Sequence, residues 1–160
     1  MVKNNKNLLI KLILLISIIA LISAFFIEYI LGHQPCNLCI LERIPYFLAI
    51  IVILLNYKFI EFEKFFILFL TIIFLFGTLL SLYHLGIEQG LIQESLVCDL
   101  KSGSNLLSKE EILKQLQEKS VSCKDVTFKM FGLSLTSYNI LISILITFSA
   151  GKIYFNYDKN

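Results

Sequence analysis

Charge is what this sequence has least of. Asp, Glu, Lys and Arg together make up 16% of its 160 residues, where a soluble globular chain carries about 25%. The formal net charge is only +2, so there is no basic surface for a phosphate backbone, and a nucleic-acid binder is excluded on that ground. Intrinsic disorder is excluded as well, because it needs low hydrophobicity together with high net charge. What fills the space is apolar: 57% of the residues are hydrophobic, with a mean hydropathy of +0.79, against about 45–50% in soluble domains.

The apolar residues are gathered into four runs: Leu8–Ile30, Ile44–Leu55, Phe65–Tyr83 and Phe131–Tyr154. A helix that crosses a bilayer needs about 20 largely apolar residues. Three runs meet that length. The second meets it if its helix starts at Cys39 and ends at Tyr57, a rise of about 28 Å at 1.5 Å per residue, which draws Glu42 and Arg43 to the membrane interface. The expected fold is therefore an all-α membrane protein, a four-transmembrane-helix bundle. It forms one domain over residues 1–160, with spans at about 8–30, 39–57, 65–83 and 131–154. A short loop at about 31–43 and a long one at about 84–130 lie on the side opposite the termini. The first run exceeds the 7–15 residues of a signal-peptide core and no A-x-A site follows it, so it reads as a retained span.

Basic residues do not orient this bundle decisively. Lys3, Lys6, Lys11, Lys58, Lys64, Lys152 and Lys159 stand on the side of the termini, and Arg43 with the six lysines of the long loop on the other. The first helix usually dominates, and its clustered lysines favour cytoplasmic termini. Tyr29, Tyr46, Tyr83 and Tyr138 fall towards one set of span ends, and Tyr57, Tyr154 and Tyr157 towards the other, as headgroup-level tyrosines do.

The four cysteines sharpen the picture. Cys36, Cys39, Cys98 and Cys123 all fall on the side opposite the termini, and an even set confined to one side points to an oxidising compartment. Cys36-Asn37-Leu38-Cys39 is a C-x-x-C, a spacing that makes a readily exchanged disulfide and depresses thiol pKa values. It leads into the second span, and at helical spacing Arg43 shares a face with both sulfurs. A permanent cation there favours thiolate and can bond a carbonyl oxygen. Two other readings stand beside this one. A four-cysteine zinc site would need a second C-x-x-C knuckle, which Cys98 and Cys123 are too far apart to form, so no metal is expected. Purely structural disulfides in a non-catalytic four-span assembly protein are the stronger rival; closing the 98–123 loop would contribute about 3 kcal/mol in the chain-entropy model. Within that loop, Ser108-Lys109-Glu110-Glu111 is a capping-box pattern that opens a short helix to about Lys119. Its flanks read as mobile connections.

Gln34-Pro35-Cys36-Asn37-Leu38-Cys39-Ile40-Leu41-Glu42-Arg43-Ile44-Pro45-Tyr46 resembles the signature of the disulfide bond formation protein B (DsbB) family, the bacterial quinone-linked thiol oxidases. Tyr83-His84-Leu85-Gly86-Ile87-Glu88-Gln89-Gly90 and Phe131-Gly132-Leu133-Ser134 with Asn139 are similar to further motifs of that family. The vitamin K epoxide reductase family shares the four-helix core, but there the loop pair precedes the C-x-x-C. Family members carry Trp on both sides of the Phe131 motif; this chain has no Trp, with Phe128 and Tyr138 at those places.

The resemblance implies an enzyme of the bacterial inner membrane that supports disulfide bond formation. Its partner would be a DsbA-like periplasmic thioredoxin-fold protein, and its electron acceptor a quinone, either ubiquinone or menaquinone. Whether it is a general oxidase or a paralogue dedicated to one substrate stays open. Cys36, Cys39, Cys98 and Cys123 would be catalytic. The partner would attack the Cys98–Cys123 disulfide at Cys98, whose loop supplies access, and Cys123 would then engage Cys36. Arg43 would hold the quinone. His84, where the third span is expected to leave the membrane, would bond a quinone carbonyl or relay a proton; the rival reading is an interfacial His reaching for water. Glu42 reads as an interfacial charge and not as a base.

Overall fold

A computed structural model describes residues 2–93, 98, 122–124, 129–130 and 132–157. The helix expected over 108–119, its flanks, Phe128 and Phe131 lie outside the described residues. The elements are α1 (Val2–Tyr29), α2 (Asn37–Leu41), α3 (Ile44–Lys58), a 3₁₀ turn (Ile60–Phe62), α4 (Glu63–Glu88), β1 (Lys129–Met130), β2 (Leu133–Ser134) and α5 (Leu135–Phe155). Four stretches are long and apolar enough to cross a membrane: Lys6–Tyr29, Asn37–Lys58, Ile60–Glu88 and Leu135–Phe155. The protein is a multi-pass, all-α membrane protein. In lipid every backbone N–H and C=O must be satisfied within the chain, and uninterrupted apolar sequence does so as helix.

The second span is composite. Pro45 has no N–H, and its ring would clash with the Leu41 carbonyl one turn back in a continuous helix. The chain instead turns at Glu42 and Arg43, and Pro45 takes the second position of α3, where a missing N–H costs little. Pro45 therefore starts a helix rather than kinking one. α4 runs past its expected end at Tyr83 to Glu88. Gly90 stops it at φ +73°, with the Gly90 N–H bonded to the Ile87 carbonyl and the Leu91 N–H to the Gly86 carbonyl, both at 2.9 Å. This closure needs a left-handed residue after the cap, which glycine adopts without a Cβ penalty. α5 starts later than expected, at Leu135. A two-residue antiparallel pairing (Lys129 with Ser134, Met130 with Leu133) precedes it, and the Ser134 hydroxyl caps it by accepting the Ser137 N–H.

α4 and α5 pack most extensively, and α3 lies against both α1 and α4. At one end Glu63 accepts from Lys6 Nζ at 2.7 Å and from the Tyr157 hydroxyl at 3.3 Å. That gathers the starts of α1 and α4 and the end of α5. The main apolar core above it includes Ile13, Ala49, Ile53, Phe74, Ile146 and Ala150. Outward-facing apolar side chains such as Phe76 and Phe148, 66% and 72% exposed, suit lipid contact. Small buried residues (Ser17, Ala49, Ser81, Ser143, Ala150) let backbones approach where lipid supplies no hydrophobic drive between helices. Their hydroxyls are satisfied locally: Ser17 donates to the Ile13 carbonyl at 2.8 Å and Ser81 to the Gly77 carbonyl at 3.0 Å.

Tyr46, expected at headgroup level, is buried. Its hydroxyl donates to Asn139 Oδ1, and its ring meets Phe74 edge-on at 5.5 Å. A buried phenol needs such a partner.

At Gly77, α4 approaches α3 closely, since a Cβ there would stand 3.0 Å from Pro45 Cγ. Gly77→Leu is expected to wedge the two helices apart and cost about 1–3 kcal/mol. Unfolding in mixed detergent micelles measures the loss, and wild-type stability would refute this packing.

Candidate active site

The end of the bundle opposite the termini carries the sulfur chemistry. α2 is a five-residue helix whose N-cap is Cys36; the Cys36 Sγ accepts the Cys39 backbone N–H at 3.2 Å. Cys36 and Cys39 are free, with their Sγ atoms 2.7 Å apart. Cys36 is buried and Cys39 half-buried. Cys98 and Cys123 form a disulfide with Cα atoms 5.9 Å apart. That bond packs in one cluster with Cys36, Leu38 and Ile87, bordered by Cys39, Leu41, Leu80 and Tyr83. The Asn37 side chain donates to the Cys98 carbonyl at 3.1 Å and ties the long loop to the C-x-x-C. Of the three pairings open to four cysteines, the structure therefore has one disulfide and one free pair. The loop pair, expected to be accessible, is buried at 8% and 2% exposure. Docking against apolar Leu38 and Ile87 is the physical reason.

His84 is 1% exposed and does not reach for water, which overturns the snorkelling reading. The cause is the extension of α4 by more than a turn, which keeps His84 inside the helix and facing the bundle. Its Nε2 lies 3.5 Å from Cys36 Sγ. Its Nδ1 donates to Glu42 Oε1 at 2.9 Å and lies 3.2 Å from the Thr136 hydroxyl, which itself donates to Glu88 at 2.6 Å. Glu42 is buried too, and its other oxygen accepts from Asn139 Nδ2 at 3.0 Å. Asn139 also reaches Ser81 Oγ at 2.7 Å. The expectation of an interfacial charge at Glu42 is thus corrected: the turn after α2 directs this carboxylate inward, where a buried charge must be paired. Glu42, Thr136 and Glu88 are the site residues that sequence reasoning missed. The available signal was Pro45, which announces a helix start at Ile44.

Arg43 follows Glu42 with right-handed helical dihedrals (φ −79°, ψ −25°). In the structure the guanidinium pairs with Glu28 and lies 5.2 Å over the Phe25 ring, both on α1. The imidazole beside Cys36 belongs to His84 on α4. The Cys36 thiol, which precedes the second span, is lowered from 9.0 to about 5. A hydrogen bond from Cys39 is the largest favourable cause, followed by the hydrogen bond and charge of His84, while burial opposes both. The arrangement can therefore hold one thiolate at Cys36 near neutral pH with a proton acceptor or donor against it.

Comparison with known proteins agrees with this constellation. The family model described as Disulfide bond formation protein DsbB matches residues 6–152. A curated relative from Rickettsia prowazekii (strain Madrid E), described as an uncharacterized protein, is 33% identical over 165 residues, covering 99% of this chain and 94% of that protein.

Because the lowered pKa favours the anion, Cys36 should be thiolate above about pH 5 and thiol below it. Ultraviolet thiolate absorbance of the reduced pair, with Cys36→Ser as blank, should titrate with that midpoint. His84→Ala should move it upward, because a group that stabilises the anion is gone. A midpoint at the ordinary thiol value would refute the assignment.

Proposed function

The chain belongs to the family of disulfide bond formation protein DsbB, and on that premise we propose that it is a membrane dithiol:quinone oxidoreductase. Membership makes it an oxidoreductase acting in disulfide formation. The finer reading is that it reoxidises a DsbA-like thioredoxin-fold protein on the periplasmic side of the bacterial inner membrane and passes the electrons to ubiquinone or menaquinone. The observation that carries this reading is the packing of the Cys98–Cys123 disulfide against Cys36 of a C-x-x-C whose second cysteine is half-buried.

Each sulfur then has a distinct task. A partner thiolate attacks the Cys98–Cys123 bond, forming a mixed disulfide at Cys98 and releasing Cys123. The partner's second thiol resolves that bond and leaves oxidised, so two electrons and two protons enter the loop pair. Cys123 attacks an oxidised Cys36–Cys39 pair at Cys36, and the electrons pass to the C-x-x-C as the loop disulfide re-forms. Such exchange needs a thiolate attacking a reachable sulfur, which the cluster around Cys36 supplies internally.

A membrane quinone, when bound, supplies an acceptor for two electrons and two protons. The residues fit such a group: Cys39 is the less buried cysteine of the pair, next to exposed Ile40, and Arg43 and Phe25 offer a guanidinium and an aromatic face. Arg43 would hold a carbonyl oxygen. His84 would take the Cys36 proton at Nε2, with Glu42 keeping its Nδ1 occupied so that Nε2 is the working nitrogen.

Purified protein mixed with a reduced thioredoxin-fold partner and a soluble quinone tests the reading through quinone absorbance. Cys36→Ser and Cys39→Ser should each abolish turnover, and comparable rates after either change would sink the proposal. Arg43→Ala should raise the apparent KM for quinone more than it lowers kcat; an unchanged KM removes Arg43 from the quinone site. Respiration blocked in cells should leave reduced, alkylatable cysteines, whereas fully oxidised cysteines would favour a structural role.

A further inference from the structure

We infer that the reduced C-x-x-C and His84 form a three-ligand site for a zinc-class divalent cation, and that the bound cation holds the pair reduced. The site itself rests on geometry; only its consequence for turnover rests on the oxidase reading. Cys36 Sγ, Cys39 Sγ and one ring nitrogen of His84 all lie within 4.8 Å of one another. A tetrahedral zinc ion, with bonds of about 2.3 Å to sulfur and about 2.0 Å to nitrogen, sets a sulfur and a nitrogen ligand about 3.6 Å apart and two sulfurs about 3.8 Å apart. Cys36 Sγ and His84 Nε2 already stand 3.5 Å apart. The two sulfurs, at 2.7 Å, must part by about 1 Å for that geometry, a rotation that the half-buried Cys39 side chain can make.

The shell around the ligands is built as well. His84 gives its Nδ1 to Glu42 Oε1 at 2.9 Å, which turns the Nε2 lone pair of a neutral imidazole towards the sulfurs. Glu42 is itself held by Asn139 at 3.0 Å. A carboxylate behind a ligating histidine fixes its tautomer and orientation and raises its basicity. Charge points to a divalent ion: two thiolates carry two negative charges into a place where Cys36 and His84 are buried, and one such cation cancels them. This is not the four-cysteine structural site that the sequence argues against, since Cys98 and Cys123 are bonded to each other.

No electrons move on binding. One cation replaces the Cys39 thiol proton and the proton shared between Cys36 and His84, and both go to solvent. A Cys36–Cys39 disulfide has no thiolate to offer, so the cation selects the reduced pair. Exchange and oxidation both need a free thiolate, so an occupied site is a stalled one.

The test uses the full-length protein in detergent with Cys98→Ser and Cys123→Ser, leaving the C-x-x-C as its only thiols. Cadmium alone, followed by its ultraviolet thiolate band, is the probe, and zinc is the competitor. The reduced protein should bind one cadmium per chain, zinc should displace it, and zinc should slow oxidation of the pair by a small-molecule disulfide. Protein oxidised beforehand should bind none. His84→Ala and Glu42→Gln should each weaken binding by about 10–100-fold, with helical circular dichroism as the control for folding. Where one variant fails to fold, the other decides. Affinity unchanged by the folded variants would mean simple dithiol chelation and would overturn the site, as would absence of the band. Quinone turnover with a dithiol partner does not enter these readouts, so this inference and the oxidase reading fail separately.

Discussion

The bond from His84 Nδ1 to Glu42 Oε1 is the contact on which the position of the dithiol depends. α2 has five residues, far below the length at which a helix holds itself together. Something else must fix the sulfurs, and Glu42, the residue that ends α2, does so with both carboxylate oxygens. One binds His84 on α4 and the other Asn139 on α5. Asn139 in turn binds Ser81 on α4 and accepts from Tyr46 on α3. A carboxylate at this depth is tolerable only if its lone pairs are filled, and removing one partner of a buried charged pair typically costs about 3–5 kcal/mol. The polar contacts that make the site soluble in the bundle are therefore the same ones that aim it. The apolar spans need no such precision and are held by small-residue packing, as at Gly77 against Pro45.

This division explains what could be read from the chain before any coordinates. The four spans follow from run length, and the motifs bearing Cys36, Cys39 and His84 from local residue patterns; both properties lie within a few consecutive residues. Glu42 and Thr136 were illegible as site residues because their roles depend on partners 42 or more positions away, whereas Glu88 stands one turn from His84 and was within local reach. Arg43 shows the same limit from the other direction. Periodicity places it one turn after Cys39, but its guanidinium finds its partners across the bundle, in Glu28 and Phe25 on α1. His84 was located by its motif, but its depth was not, because that depends on how far α4 runs beyond Tyr83. Gly90 held the answer: the helix persists to the residue that can take a positive φ.

Burial of the loop disulfide sets a constraint on the order of events. Thiol–disulfide exchange requires the attacking sulfur to reach the bond in line, and Cys98 and Cys123 are 8% and 2% exposed. In this arrangement no outside thiol reaches them, whereas Cys36 lies in the same cluster. On the oxidase reading, the geometry that suits transfer between the two cysteine pairs is thus the one that shields the loop disulfide from an external protein. One polar tie between loop and C-x-x-C is the Asn37 bond to the Cys98 carbonyl. A neutral hydrogen bond of that kind contributes about 0.5–1.5 kcal/mol net, and apolar contact with Leu38 and Ile87 adds to it. On the oxidase reading, the bonds of Glu42 to His84 and Asn139 keep the C-x-x-C in place while the loop disulfide is presented to a partner. On that reading, the strongest polar contacts described fix the sulfurs that must stay.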